Sequence, residues 1–237
     1  MLKYAQFANE DVMNKTKTDK LVIFDWGGVV FDLKNIAAMK HLWQQALNSV
    51  GVNISLKDVE SWWQLWHFNM LTKDTSEINT NFAHILKTLG INPTYQQIRH
   101  LRLAMDEAIK NAPVHQPIAD MIRQLIYDGN CLVGLLSNTE IPAIPALSVQ
   151  LPIAAFDYVW LSFEQGLAKP DMRLYEKVEK ESGLSPHDIM FIEDSPENLQ
   201  PAVTRGWKTY LVDETIDDNK KVLLMKNAIN EFLDNRG

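Results

Sequence analysis

The order of apolar and polar residues divides the chain into stretches of two kinds. Residues 21–24 form a short apolar run that ends at Asp25, and Gly27-Gly28 follow. A continuous run of this length is typical of a strand covered on both faces, as in a parallel sheet. Residues 34–112 instead repeat apolar positions at helical spacing, without any strand pattern. The sequence therefore predicts a first strand followed by a helical block.

Four amphipathic helices are predicted within this helical block. Helix-start and break signals at 53–55, 75–76 and 92–94 separate them. Each helix has apolar residues spaced to share one face. The four apolar sets are Ile36, Met39, Trp43 and Leu47; Val59, Trp62, Trp66 and Met70; Ile78, Phe82, Ile85 and Leu89; and Ile98, Leu101, Met105 and Ile109.

From residue 113 onward, strand and helix patterns alternate. Such alternation predicts βαβ units, and therefore a parallel sheet with helices on both faces. The predicted strands cover 131–136, 156–161, 189–192 and 208–212, and the predicted helices cover 115–128, 171–182, 196–205 and 216–234.

These patterns predict three parts. We expect a Rossmann-like α/β core over 19–33 and 113–237, a helical-bundle insertion over 34–112, and an N-terminal extension over 1–18. The extension is polar and lacks the apolar centre of a signal peptide. No apolar stretch reaches the roughly 18 residues that a membrane span needs. We therefore expect a cytoplasmic protein without a membrane partner.

The composition of the chain indicates which kinds of binding partner to expect. The 237 residues are 46% hydrophobic and 22% charged, which is ordinary for a globular protein. A formal net charge of -7 argues against a nucleic-acid or anionic-membrane binder, because either needs a basic surface. The single cysteine, Cys131, lies in an apolar run, so we expect it to pack in the core. The six histidines show no metal-ligand spacing, and we interpret them as structural or solvent-exposed.

Polar residues follow three of the predicted strands. Asp25 ends the first run, Ser137-Asn138 ends another, and Glu193-Asp194 ends a third. Ligands of open parallel sheets bind beyond the carboxyl ends of the strands. If the three strands are neighbours, these five residues converge on one crevice.

Lys169 adds a positive charge to this set. It precedes Pro170, which suits the first turn of a helix, so we expect Lys169 near a helix N-terminus. Carboxylates, a hydroxyl and an ammonium group together suit phosphoryl transfer, which depends on positioning and charge neutralisation. The ligand that fits is a small phosphate ester.

Each group has a role in that chemistry. Asp25 can act as nucleophile and form an aspartyl-phosphate. Asp25 and Asp194 can hold Mg²⁺, which prefers carboxylate oxygens, waters and phosphate. Ser137 and the N–H groups of the turn at 26–28 can donate hydrogen bonds to phosphate oxygens, and Lys169 supplies a charge. Taken singly, each could equally be a turn residue, a helix cap or a surface charge.

At these residues the sequence resembles the haloacid dehalogenase-like (HAD) hydrolase superfamily, over nearly the whole chain from Leu21. Asp25 matches the family nucleophile, Ser137 the hydroxyl of the second motif, Lys169 the lysine of the third, and Glu193-Asp194 the acidic pair of the fourth. The segment 34–112 looks like the cap that many members insert. The most similar branch contains bacterial sugar-1-phosphate phosphatases and the N-terminal domains of epoxide hydrolases.

The resemblance implies a Mg²⁺-dependent phosphatase-type hydrolase and a set of site residues. The implied catalytic residues are Asp25, Ser137 and Lys169; the implied substrate contacts are Trp26, Gly27, Ser137, Asn138 and Lys169; and the implied metal ligands are Asp25, Gly27, Glu193 and Asp194.

One position departs from the family pattern. Family phosphatases usually carry a second aspartate two residues after the nucleophile, which protonates the leaving group, and here that position is Gly27. Its loss would cost about 10²–10⁴ in rate, the typical contribution of general acid–base catalysis. The metal site need not be affected, because the family ligand at this position is a backbone carbonyl.

Three functions stay open on the sequence. The first is a phosphatase whose substrate has an easy leaving group, such as a sugar phosphate with an anomeric oxygen. The second is a binding or regulatory protein with little turnover, which Gly27 favours. The third is a dehalogenase or a phosphonate-cleaving enzyme. The Glu193-Asp194 pair argues against the dehalogenase, and the phosphonate reaction needs a Schiff-base lysine from the cap segment.

Overall fold

Five parallel strands form one sheet in the described part of the structure, a computed structural model. The structure describes residues 19–31, 36–59, 61, 78–88, 90–110, 114–139, 151 and 153–235. In chain order the strands are β1 (Leu21–Phe24), β2 (Leu132–Ser137), β3 (Tyr158–Leu161), β4 (Ile189–Glu193) and β5 (Lys208–Leu211). Their order in the sheet is β3-β2-β1-β4-β5, so β1 is central.

Helices lie between these strands along the chain, and one more helix follows the last strand. In chain order they are α1 (Ile36–Ser49), α2 (Ile78–Thr88), α3 (Tyr95–Lys110), α4 (Gln116–Asp128), α5 (Ser162–Gln165), α6 (Met172–Ser182), α7 (Pro196–Arg205) and α8 (Asp218–Asp234). Short 3₁₀ turns lie at Ile153–Ala155 and Pro186–Asp188. None of the helices in the described residues is long and apolar enough to cross a membrane.

Both faces of the sheet are covered by helices. Val22 and Phe24 of β1 pack in one cluster with residues of α4 and α8. Leu21 and Ile23 point to the opposite face and pack with residues of α6 and α7. All four side chains are fully buried, which explains why β1 is apolar at every position. The predicted Rossmann-like α/β fold is confirmed.

Helices α1, α2 and α3 share a separate apolar core. It includes Trp43, Leu47, Phe82, Leu86 and Leu101, all nearly or fully buried. Residues 56–59 and 61 are helical and fall at the start of the second predicted helix, and the other residues of that prediction lie outside the described part of the chain. The division of the chain into extension, core and cap stays a prediction.

The helix predicted over 171–182 is present as α6, but the prediction that Pro170 lies in its first turn was wrong. Asp171 is the N-cap of this helix, and its side chain accepts a hydrogen bond from the Arg173 N–H at 3.0 Å. Pro170 therefore precedes the cap instead of occupying the first turn. An aspartate that can bond the backbone two residues on is a stronger start signal than a proline. As predicted, Cys131 is buried in the core.

Candidate active site

The sheet places three predicted site residues side by side. Phe24, the last residue of β1, lies in register with Leu135 of β2 and Ile192 of β4. Asp25 follows β1 directly, and its N–H donates to the Ile192 carbonyl at 2.9 Å. Ser137 ends β2 and is buried. These strands and the one that ends at Glu193 therefore open onto one crevice, as expected for neighbouring parallel strands.

Lys169 reaches into this crevice and lies between two carboxylates. Its Nζ is 2.8 Å from Asp25 Oδ1 and 2.5 Å from Glu193 Oε2. The side chains of Lys169 and Glu193 are fully buried, and that of Asp25 is 9% exposed. Removing one member of such a buried ion pair leaves an uncompensated charge, so the three groups depend on one another.

The backbone of Lys169 is held by Asn138. The Asn138 Oδ1 accepts from the Lys169 N–H at 2.7 Å, and the Asn138 Nδ2 donates to the Lys169 carbonyl at 2.8 Å. One amide group thus fixes both polar atoms of a residue 31 positions away. The sequence suggested Asn138 as a substrate contact, and the geometry adds a positioning role for Lys169.

Sequence reasoning missed Ser162, which fixes the same loop. Its Oγ accepts from the Thr139 N–H at 3.0 Å and donates to the Thr139 carbonyl at 2.9 Å. Ser162 directly follows β3, so it is another polar residue at the carboxyl end of a strand. Its position directly after a strand could have identified Ser162 from the sequence.

Glu193 and Asp194 have different surroundings. The Glu193 Oε1 accepts from the N–H groups of Asp194 and Ser195 at 3.1 and 3.0 Å, while Oε2 bonds Lys169. The Asp194 carboxylate instead lies over Gly28. A Cβ added to Gly28 would lie 2.2 Å from Asp194 Oδ2, and the φ of Gly28 is +73°. Gly28 is therefore needed both for its backbone conformation and for the room it leaves Asp194.

Residues 25–31, which we call the nucleophile turn after the role predicted for Asp25, are closed by backbone hydrogen bonds. The N–H groups of Val30 and Phe31 donate to the Trp26 carbonyl at 2.9 and 2.8 Å, and the Gly28 N–H donates to the Phe31 carbonyl at 3.0 Å. The Trp26 side chain packs in the core cluster, and its proposed substrate contact stays a prediction. A Cβ added to Gly27 would meet no heavy atom within 4 Å among the described residues.

Three carboxylates form a candidate metal site. Asp25, Glu193 and Asp194 each offer an oxygen within 4.8 Å of the others. When all are ionised, these three charges exceed that of Lys169 by two. Asp25 Oδ1 is buried, and Lys169 Nζ lies 2.8 Å from it. The donor set therefore fits a hard divalent cation that prefers carboxylate oxygens, such as Mg²⁺.

Burial and mutual repulsion change the pKa values of these carboxyl groups. Burial, reinforced by the charge of Glu193, raises the pKa of Asp25 to about 7 despite Lys169. Burial, a hydrogen bond with Glu193 and the charge of Asp25 raise the pKa of Asp194 to about 8. Burial acts to raise the pKa of Glu193, but the charge of Lys169 and hydrogen bonds with Asp194, Lys169 and Ser195 together hold it below the usual value. Full ionisation of Asp25 at neutral pH therefore calls for added positive charge.

A family of known proteins matches this pattern. The family described as haloacid dehalogenase-like hydrolase matches residues 20–203, a range that holds the whole cluster from Asp25 to Asp194. The chain belongs to this family. It is thus a HAD-like hydrolase, and the predicted superfamily and enzyme class are confirmed.

Curated relatives include proteins named as phosphatases. Phosphatase MT3486 of Mycobacterium tuberculosis is 25% identical over an alignment 233 residues long; the match covers 91% of this HAD hydrolase and 97% of that protein. Enolase-phosphatase E1 of Aquifex aeolicus is 49% identical, but only over 41 residues, or 17% of this chain and 18% of that protein.

Solved structures share the fold. A predicted HAD-like family hydrolase from Porphyromonas gingivalis has a TM-score of 0.64 at 22% identity, covering 92% of this chain and 98% of its own. A HAD family enzyme from Bacteroides thetaiotaomicron, solved with magnesium and inorganic phosphate, has a TM-score of 0.62 at 20% identity, covering 84% and 96%. L-2-haloacid dehalogenase from Xanthobacter autotrophicus has a TM-score of 0.58 at 20% identity, covering 81% and 77%. At these identities the likeness concerns the fold alone.

Proposed function

We propose that this HAD hydrolase is a Mg²⁺-dependent phosphatase that hydrolyses a small phosphorylated metabolite through an aspartyl-phosphate on Asp25. The observation that carries the proposal is the buried cluster in which Lys169 Nζ lies 2.8 Å from Asp25 Oδ1 beside two further carboxylates. A carboxylate nucleophile, a fixed cation and a divalent-metal donor set are the parts that phosphoryl transfer requires.

The residues divide the work as follows. Asp25, Asp194 and the Gly27 carbonyl would hold Mg²⁺. Glu193 is less suited to bind it, because both of its oxygens already accept hydrogen bonds from Lys169 and the backbone. We assign Glu193 to holding Lys169 in place. When bound, Mg²⁺ offsets the repulsion between a carboxylate nucleophile and an anionic phosphoryl group.

The first chemical step transfers the phosphoryl group to Asp25. A carboxylate oxygen of Asp25 attacks phosphorus while the bond to the leaving oxygen breaks, and that oxygen takes a proton from water. Lys169 and the Ser137 hydroxyl neutralise charge on the phosphoryl oxygens. N–H groups of the nucleophile turn can donate to the same oxygens. In the second step, water attacks phosphorus, which releases inorganic phosphate and restores the Asp25 carboxylate.

Gly27 narrows the proposed substrates to esters with good leaving groups. A leaving oxygen that is already acidic needs little protonation, whereas an ordinary alcohol needs a general acid worth about 10²–10⁴ in rate. An anomeric sugar oxygen is more acidic than an ordinary alcohol. A sugar phosphate is therefore the substrate we propose, in agreement with the branch that the sequence resembles.

A phosphatase screen over sugar phosphates, with and without Mg²⁺ and beside Asp25→Asn, tests the proposal. We expect Mg²⁺-dependent phosphate release that Asp25→Asn abolishes. Tight binding of a phosphate analogue without turnover of any ester would favour the binding-protein alternative. Metal-independent halide release from 2-haloacids would favour a dehalogenase.

A further inference from the structure

His115 connects three parts of the fold. It is 2% exposed and immediately precedes α4. Its N–H donates to the Val30 carbonyl in the nucleophile turn at 2.8 Å. Its carbonyl accepts from Ile118 and Ala119 in the first turn of α4 at 2.9 and 3.0 Å. Its ring Nδ1 lies 2.9 Å from Oδ2 of Asp218, the first residue of α8.

Asp218 is held from its other side by Lys221. The Lys221 side chain is 1% exposed, and its Nζ lies 3.4 Å from Asp218 Oδ1. Burial acts to raise the pKa of Asp218, but the His115 hydrogen bond, together with the charge of Lys221, holds it below the usual value. An ionised carboxylate can only accept, so the His115 Nδ1 carries the proton and donates it.

The same segment forms a second contact with the nucleophile turn. Phe31, the last residue of the turn, pairs with Val114 in an antiparallel bridge. Residues 114–115 therefore lie along the end of the turn that begins at Asp25. They are also the point at which the chain returns to the sheet after α1–α3.

We propose that the His115–Asp218 pair, supported by Lys221, positions the nucleophile turn for phosphoryl transfer. This role rests on the proposed function, because it takes Asp25 as the nucleophile. None of the three side chains needs to touch substrate; they act through the bond from the His115 N–H to Val30. Misplacement of reacting groups by about 1 Å can cost about 10²-fold in rate, so a firmly anchored turn matters.

Adjacent aspartates in α8 provide a matched pair of variants. Asp217 is the N-cap of α8, and its side chain accepts from the Lys220 N–H at 3.0 Å. Asp217→Ala and Asp218→Ala both weaken the first turn of α8, but only Asp218→Ala removes the contact to His115. His115→Asn keeps a donor near the Nδ1 position, whereas His115→Ala removes it. Asp218→Asn is the milder variant if Asp218→Ala fails to fold.

Hydrogen exchange of the full-length protein reports on the turn without any substrate. We expect faster exchange at the Val30 and Phe31 amides in Asp218→Ala and His115→Ala, and wild-type exchange there in Asp217→Ala. Equal exchange in Asp218→Ala and the wild type would overturn the proposal, as would equal acceleration by Asp217→Ala. This readout applies even if the protein hydrolyses no phosphate ester, so it separates failure of the positioning role from failure of the proposed function.

Steady-state kinetics then measure the effect on turnover. We expect kcat to fall about 10–100-fold in Asp218→Ala, the usual cost of losing a supporting contact, with KM unchanged. His115→Asn should restore most of the kcat that His115→Ala loses. The double variant His115→Ala/Asp218→Ala should be no slower than either single variant, because the two side chains act as a pair. Additive losses, or an equal loss in Asp217→Ala, would mean that α8 stability alone is responsible.

Discussion

Gly27 offers the sharpest test of how the site handles the leaving group. Gly27→Asp introduces the carboxyl group that the family pattern has at this position, and the structure has room for its Cβ. No heavy atom of the described residues lies within 4 Å of the added Cβ, and Gly27 is not among the glycines with positive φ. At Gly28, by contrast, a Cβ would lie 2.2 Å from Asp194 Oδ2 at a φ of +73°.

The room at Gly27 and the absence of backbone strain there set the expected effects on stability and on rate. A side chain at an unstrained glycine position commonly stabilises the fold by about 0.4–1 kcal/mol, so Gly27→Ala should fold at least as well as the wild type. A general acid contributes about 10²–10⁴ in rate, or roughly 3–5 kcal/mol of barrier. Gly27→Asp should therefore speed hydrolysis of esters with poor leaving groups and barely change those with good ones.

The assay compares kcat/KM for p-nitrophenyl phosphate and a simple alkyl phosphate in Mg²⁺. We expect Gly27→Asp to raise the alkyl value by about 10²-fold or more, and Gly27→Ala to raise neither value. The reasoning is refuted if Gly27→Asp folds and binds Mg²⁺ but gives no gain on the alkyl ester while Gly27→Ala stays active. An equal gain on both esters would refute it too.

Three further predictions follow from the geometry. Asn138→Ala should lower kcat about 10-fold by freeing the Lys169 backbone, measured by steady-state kinetics beside a thermal melt. Mg²⁺ binding should release protons near pH 7, because Asp25 and Asp194 have raised pKa values. The affinity for Mg²⁺ should therefore fall as the pH drops below about 8. Calorimetry in buffers of different ionisation enthalpy measures both the affinity and the number of protons released. Glu179→Gln should lower the free energy of unfolding by about 1 kcal/mol, measured in urea, because its carboxylate accepts from a guanidinium and an indole N–H.

Each of these predictions has a result that contradicts it. Wild-type kcat in Asn138→Ala would show that Lys169 is placed without its amide partner. Mg²⁺ affinity that is constant between pH 6 and pH 9, with no proton release, would contradict the raised pKa values. An unchanged urea midpoint in Glu179→Gln would show that solvent replaces its hydrogen bonds without loss.

The strands and the crevice could be predicted because their signals are local. Leu21–Phe24 is apolar at every position because both of its faces are buried, and the polar residue that follows marks the carboxyl end of the strand. Asp25, Ser137 and Asp194 fall at such ends, and parallel pairing of neighbouring strands then brings the ends together.

Roles that depend on distant partners could not be predicted in this way. In sequence, Ser137-Asn138 is an ordinary turn pair, and only the fold shows that the Asn138 amide holds Lys169. The bond between His115 and Asp218 spans 103 residues, so no local spacing indicates it. Pro170, by contrast, was misplaced although the signal is local, because Asp171 is itself a strong N-cap residue.

The central claim is that Asp25 becomes phosphorylated during turnover. Acid quench of the Mg²⁺-loaded protein turning over a phosphate ester, followed by mass spectrometry of the peptide containing the nucleophile turn, measures this directly. The account predicts a phosphoryl adduct on Asp25 that is absent without Mg²⁺ and absent in Asp25→Asn. Turnover that persists in Asp25→Asn, or an adduct on another residue, would contradict it.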